Sequence, residues 1–364
     1  MTVTTDPVHE EAVEEFAGRV FAAALGAQEI QAAHLGDRLG WYRALADHGG
    51  LTAAGLAAVT SSNERYAREW LEHQAVSGWL TVDDPTVAAE ERRYHLPAAH
   101  AEVLADPDSL AHLLPLARFI AGAGKHVDRL AEVYRNGGGV SWAELGEDPR
   151  EGQAAMNRPM FLELFGPEYL PSIPELDALL RGGGRLADIG CGFGWSSIAV
   201  ARQYPEATVD GFDVDAPSIE AARANAVSAG VDRRVSFAEG DAARLEADGA
   251  YDVAMALECV HDMGDPVGVL ASMRRMVHDD GFVLVMDERV GDELRAPGGE
   301  LERFFYGCSI TVCLPDCMSH EDSAATGTVL RPAVLRRYAE AAGFSSVEVL
   351  PIDNESFRFY RLHL

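Results

Sequence analysis

The sequence predicts an α/β protein, a Rossmann-like doubly wound parallel sheet preceded by a smaller, α-helical winged-helix domain. Three observations carry this. Apolar runs alternate with helix-like stretches through the C-terminal half, as strands and crossover helices do in a parallel sheet. The first run closes in Asp188-Ile189-Gly190-Cys191-Gly192-Phe193-Gly194, with glycines at alternate positions before the helix-like stretch from Trp195 to Ala201. The later runs each end in polar residues, at the edge where ligands bind in such sheets.

At the N-terminus, Val13, Phe16, Val20, Phe21 and Leu25 recur at helical spacing and predict an apolar stripe on a long first helix. Thr52 suits the N-cap of a short helix, Ser61-Ser62-Asn63 a turn, and Glu64 to Gly78 a second helix. Trp79 to Val82 and Arg93 to Leu96 read as two short strands around a polar loop. Helix, turn, helix and hairpin make a winged helix-turn-helix, which alone would suggest a transcription regulator. Its second helix mixes Glu64, Glu69 and Glu72 with only two arginines, Arg65 and Arg68, which favours a dimerisation module instead. Residues 100–181 read as helical, broken at Asn136-Gly137-Gly138-Gly139, with Gln153 to Phe161 forming pocket wall against the sheet domain. The expected domains are 1–100, 101–181 and 182–364.

The glycine loop needs residues without a Cβ so that a ligand can approach the backbone. Its third glycine is Gly194, whereas a dinucleotide fingerprint would place it at position 195, occupied by Trp195. The loop therefore suits a nucleoside-type ligand better than a pyrophosphate. The next strand, Val209 to Asp213, ends in an acid about 20 residues on, where ribose hydroxyls are held in this architecture. Val235 to Asp241 is a third strand whose terminal carboxylate is placed for an adenine amino group. Tyr251 to Leu257 is a fourth, followed by Glu258-Cys259-Val260-His261-Asp262, and Gly281 to Asp287 is a fifth. Asp215, just before Ala216-Pro217, reads as a helix cap.

Composition narrows the function classes. A chain of 364 residues is long enough for two domains and a substantial core. Its net charge of −28 disfavours binding to nucleic acid and to anionic membranes, since neither Arg92-Arg93 nor Arg336-Arg337 makes a basic patch. No stretch of about 18 apolar residues predicts a membrane span, and the N-terminus lacks a secretory pattern. Five cysteines, all in the C-terminal half, predict reduced thiols in a cytoplasmic protein. Cys313-x3-Cys317-x2-His320 offers soft ligands without a clear fourth, so buried thiols are expected and no metal.

From about residue 155 to 364 the set of strand-end motifs resembles class I S-adenosylmethionine-dependent methyltransferases. The resemblance implies an antiparallel last strand and S-adenosylmethionine as cofactor. It assigns Gly190, Gly192 and Gly194 to the methionine part, Asp213 to the ribose, and Asp241 with Ala242 to the adenine. Asp188 would act near the methionine amino group, and Glu258 joins the cofactor-binding set. Val260-His261-Asp262-Met263 resembles the His-Asp-Trp segment of small-molecule O-methyltransferases, with Met263 where that family has Trp. That likeness makes His261 the general base, with Asp262 beside it as the second catalytic residue. The whole chain is similar to a bacterial two-domain group that includes Rv2258c-type mycobacterial members, a likeness strengthened by Thr326 to Pro332 and Phe357 to Arg361. It implies a small, hydroxyl-bearing, natural-product-like acceptor, with methylation of nitrogen or carbon as the alternative and a cofactor-sensing regulator as a more distant one. Phe305, Tyr306 and Met318, in and after the apolar stretch from Phe304 to Pro315, are the expected substrate wall. A homodimer is expected through residues 1–100, using the first helix's stripe with Trp41 and Trp79.

Overall fold

Helices begin where the sequence supplies caps. In the computed structural model, which describes residues 7–245 and 247–364, Thr52 Oγ1 accepts from the Gly55 amide at 3.1 Å and opens the helix Ala53–Thr60. Asn63 Oδ1 accepts from the Arg65 amide at 3.0 Å and opens Glu64–Val76. These caps satisfy amides that have no partner inside the helix. The chain divides into two compact units, Met1–Ala121 and Gly122–Leu364.

In the first unit, a long helix Pro7–Arg38 precedes Trp41–His48 and the two capped helices. Strands β1 (Thr81–Val82) and β2 (Tyr94–His95) pair antiparallel as the wing. Trp41, Tyr42, Leu45, Leu56, Trp70 and Leu71 fill the core. The Tyr42 hydroxyl donates to Gln74 Oε1 at 2.6 Å, so that buried polar pair is satisfied. The stripe on the long helix stays outside: Phe16 is 61% exposed and Phe21 72%. Trp41 corrects the expectation that it joins this stripe in a dimer surface. It is a core residue, 3% exposed, with its ring centroid 4.9 Å from that of Trp70. Trp79 is half-buried against the same core.

The second unit holds the remaining strands: β3 (Arg185–Ile189), β4 (Thr208–Asp213), β5 (Val235–Glu239), β6 (Tyr251–Leu257), β7 (Val277–Glu288), β8 (Ser346–Val349) and β9 (Phe357–His363). Their order is β5-β4-β3-β6-β7-β9-β8, and β9 alone runs against its neighbours. This is the class I methyltransferase arrangement. Helices cover both faces, so the central strands read as continuous apolar runs. On β7, Phe282, Leu284 and Met286 face one hydrophobic layer while Val283 and Val285 face the other, the period of two that a strand imposes.

From β3 the sheet grows outward in both directions, which opens a crevice at the C-terminal ends of β3 and β6. Register aligns what stands there. Ile189 pairs with Ala256 and Leu257 with Met286, so Gly190, Glu258 and Asp287 follow at one edge. That edge is where the sequence motifs converge.

Candidate active site

The glycine loop is built by packing as well as by room for a ligand. All three glycines have positive φ, which residues with side chains rarely adopt. A Cβ on Gly190 would meet Cys259 Sγ at 2.7 Å, and one on Gly194 would meet Phe237 Cζ at 2.4 Å. A Cβ on Gly192 meets nothing within 4 Å, so this glycine faces open space. Asp213 Oδ2 accepts from the Gly192 amide at 2.8 Å, and its Oδ1 accepts from the Asp215 amide at 2.9 Å. The end of β4 thereby clamps the loop. Burial raises the Asp213 carboxyl above its ordinary range, against the lowering effect of those amides.

Asp215 caps its helix through Ser218 and pairs with Arg150 at 2.7 and 3.0 Å, consistent with its reading as a cap. Asp241 is exposed and accepts from the Ala243 amide at 3.0 Å, while Ala242 is buried. Asp188 is buried and its Oδ2 accepts from the hydroxyls of Ser196 and Ser197, each at 2.6 Å. It ties β3 to the helix Trp195–Gln203. Burial pushes its carboxyl up to about 6, opposed by the two serine bonds.

Glu258 follows β6 in a left-handed backbone conformation, φ 55°, a strained state for a residue with a side chain. Its Oε2 accepts from Gln153 Nε2 at 3.3 Å and Asn157 Nδ2 at 3.2 Å. Its Oε1 is buried without a hydrogen-bond partner. Burial and the nearby Glu288 hold this carboxyl well above the usual range. An acid kept strained and half-satisfied beside an open glycine loop fits a donor-bearing or cationic ligand. The residues present therefore fit S-adenosylmethionine, whose amino group and sulfonium are both positive.

His261 lies on the short turn Val260–Asp262 and is 1% exposed. Its Nδ1 is 2.9 Å from Asp287 Oδ1 and 3.1 Å from Glu288 Oε2, both at the end of β7. Its Nε2 faces Asp262 Oδ1 at 3.4 Å. Burial alone would lower the imidazole, but the charges of Asp262, Asp287 and Glu288 outweigh it and hold His261 well above the ordinary histidine range. Burial in turn raises Asp262 and Glu288.

The apolar segment after β7 supplies more of the surroundings. Phe305 is buried, whereas Tyr306 and Met318 are 39% and 37% exposed. Cys313 Sγ lies within 4.8 Å of ligand atoms of His261 and Asp262. Cys317 turns elsewhere, donating to Met263 O at 3.3 Å, and His320 is exposed. Cys313, Cys317 and His320 are thus not one ligand set. Sequence reasoning gave Asp287 and Glu288 no place in the site, took Gln153 and Asn157 only as pocket wall, and took Cys313 only as a buried thiol. The run from Gly281 to Asp287 was a signal for the first, since register carries its end to the His261 turn.

Known proteins share the two domains and the fold. Residues 180–320 match the methyltransferase domain family and residues 30–106 the Rv2258c-like winged HTH domain. The chain therefore carries a class I S-adenosylmethionine-dependent methyltransferase domain behind an Rv2258c-like winged helix-turn-helix. It is 37% identical over 109 residues to 27-O-demethylrifamycin SV methyltransferase of Amycolatopsis mediterranei, covering 30% of this chain and 40% of that one. It is 26% identical over 102 residues to ajmaline N-methyltransferase of Rauvolfia serpentina, covering 28% and 35%. The matched stretches thus span less than half of these two relatives. Among solved structures, the mitomycin 7-O-methyltransferase MmcR shares the fold with a TM-score of 0.69 at 22% identity, over 98% of this chain and 99% of that one. Human N-acetylserotonin methyltransferase in complex with SAM does so with a TM-score of 0.68 at 17% identity, over the full length of both.

The raised Asp188 carboxyl gives a testable pH dependence. A folded-state value of about 6 against an ordinary 3.8 means that ionising Asp188 costs the folded state stability as pH rises through that window. Asp188→Asn keeps an oxygen that accepts from both serines and removes the ionisation. The variant is expected to gain stability over the parent between those pH values, by up to roughly 3 kcal/mol, and to hold the gain at higher pH. Denaturation midpoints at acid, neutral and alkaline pH check this; a difference independent of pH contradicts it.

Proposed function

We propose that this protein transfers the methyl group of S-adenosylmethionine to a hydroxyl of a small, natural-product-like molecule. The observation that carries this reading is His261, oriented through Nδ1 by Asp287 at the sheet edge where the glycine loop opens. The likeness to 27-O-demethylrifamycin SV methyltransferase supports it. When bound, the cofactor supplies an electrophilic methyl group on a positively charged sulfur. The chain's own residues do the rest. Gly192 leaves room beside the backbone, and Asp213 holds the loop while offering its carboxylate to the ribose. Asp241 and Ala242 take the adenine side, and Glu258 offers its unpartnered oxygen to positive charge. Asp188 serves from behind by fixing the helix against the loop. Calorimetric titration with S-adenosylhomocysteine checks the ribose assignment. Asp213→Ala is expected to weaken binding by about 1.5–3 kcal/mol, and an unchanged affinity would remove it.

A hydroxyl is a poor nucleophile until its proton leaves, so the acceptor needs a base as well as positioning. His261 takes that proton on Nε2, with Asp287 and Glu288 stabilising the imidazolium that results. Asp262 lies alongside Nε2, and Phe305, Tyr306 and Met318 contribute apolar wall. Because His261 holds its proton well above the ordinary range, it is a competent base only toward alkaline pH. Turnover is therefore expected to climb with pH above neutrality, and His261→Ala to lower it by about 10²–10⁴. A loss under tenfold with cofactor affinity intact would move the reading to nitrogen or carbon acceptors. A screen of hydroxylated metabolites for thermal shifts in the presence of S-adenosylhomocysteine supplies the acceptor. The acidic recognition helix and the net charge of −28 argue against a DNA-binding regulator. No helix among the described residues is long and apolar enough to cross a membrane. The five cysteines are free thiols, which suits a reducing, cytoplasmic setting.

The exposed stripe of the first helix supports a homodimer through the N-terminal unit. Val13, Phe16, Val20, Phe21 and Leu25 are each about half exposed or more. Such a stripe on one helix is an unfavourable solvent face and pairs with itself across a two-fold axis. Light scattering is expected to give twice the chain mass of 39.2 kDa, and Phe16→Arg to shift it toward one. A parent mass of one chain at micromolar concentration contradicts the dimer.

A further inference from the structure

We propose that His261 Nε2, Asp262 Oδ1 and Cys313 Sγ form a zinc-binding site, one that competes with the proton for the histidine's catalytic nitrogen. The three ligand atoms lie within 4.8 Å of one another. They come from separate elements, the turn after β6 and the irregular helix Ser309–Cys313. Nitrogen, oxygen and thiolate are the donor types zinc takes, and three protein ligands leave a fourth position open.

One of the three donor pairs stands at the spacing of a coordination shell. Two donors about 2.1 Å from zinc at the tetrahedral angle stand about 3.4 Å apart. His261 Nε2 and Asp262 Oδ1 are 3.4 Å apart. Asp262 Oδ1 is buried and accepts no hydrogen bond of good geometry, its pairing with His261 Nε2 at 3.4 Å being electrostatic. On the far side of the ring, buried Glu288 stands 3.1 Å from Nδ1 through its Oε2.

The surroundings complete the pattern. Asp287 Oδ1 accepts from His261 Nδ1 at 2.9 Å and itself receives the Glu288 amide at 3.0 Å. A carboxylate behind a histidine in this way fixes the tautomer whose Nε2 lone pair binds metal, and makes that nitrogen a stronger donor. Three carboxylates around one imidazole leave an excess of buried negative charge that a divalent cation would balance. Asp262 keeps 32% of its side chain exposed, which gives the ion a way in.

Binding is a proton exchange with no change of oxidation state. The His261 Nε2–H and Cys313 S–H bonds break, both protons go to solvent, and the freed electron pairs form the N–Zn and S–Zn bonds. A bound zinc holds the lone pair that His261 would otherwise offer to an acceptor proton. That consequence, inhibition, rests on the proposed base role of His261; the binding itself does not.

The test is titration of the full-length, metal-free protein with zinc and with cobalt(II). One zinc per chain is expected in competition with a chromogenic chelator, and the cobalt form should show a near-ultraviolet thiolate-to-cobalt charge-transfer band. Cys313→Ser should abolish the band and weaken zinc about hundredfold or more, whereas Cys317→Ser should keep both. Failure to bind one zinc, or a band that survives Cys313→Ser, overturns the proposal. Titrating the same samples with S-adenosylhomocysteine reports separately on the methyltransferase reading.

Discussion

The buried contact between His261 and the carboxylates at the end of β7 is the constraint on which the catalytic edge depends. A charged imidazole removed from water is unfavourable by itself, and so is each acid around it. Together they are tolerable only if two strand ends stay in register to within a residue. The pairing of Leu257 with Met286 fixes that register, and with it the distance from the His261 turn to Asp287. A slip of one residue would turn Asp287 to the opposite face of the sheet and leave both charges buried alone.

The same economy of strand ends governs the cofactor side. Asp188 and Asp213 look from sequence like two ligand-binding acids. Geometry separates them: Asp213 clamps the Gly192 amide, whereas Asp188 spends its oxygen on Ser196 and Ser197. One organises the loop from its open side and the other anchors the helix from behind. Glu258 differs from both, since its strained backbone and unpartnered oxygen leave capacity for a ligand.

Much of this was legible in the residues because strands and caps have local signatures. The loop glycines, the acid ending β4, the Thr52 cap and the wing strands could all be read from spacing and residue type. Asp287 was visible as the end of an apolar run, but its contact with His261 depends on pairing between strands far apart in sequence. Gln153 and Asn157 lay in a helix read correctly as facing the sheet domain, yet their contact with Glu258 has no sequence signature. The Cys313 and Cys317 spacing was read as buried thiols, and both are buried, but the chain turns irregularly there and sends them in different directions, which spacing does not reveal. Trp41 was expected beside the exposed stripe in a dimer surface because residue type alone does not tell which aromatic a small core encloses.

Everything at the methyl-transfer edge turns on His261 being a buried, carboxylate-held imidazole. Nitrogen-15 NMR of histidine-labelled, metal-free protein observes it directly. His261 is expected to keep both ring protons through neutral pH, with an Nδ1 proton shifted far downfield and protected from exchange. Asp287→Asn is expected to lower the pH at which the imidazole loses its charge. A His261 that titrates as an ordinary histidine near about 6.5 in the parent protein would contradict this picture.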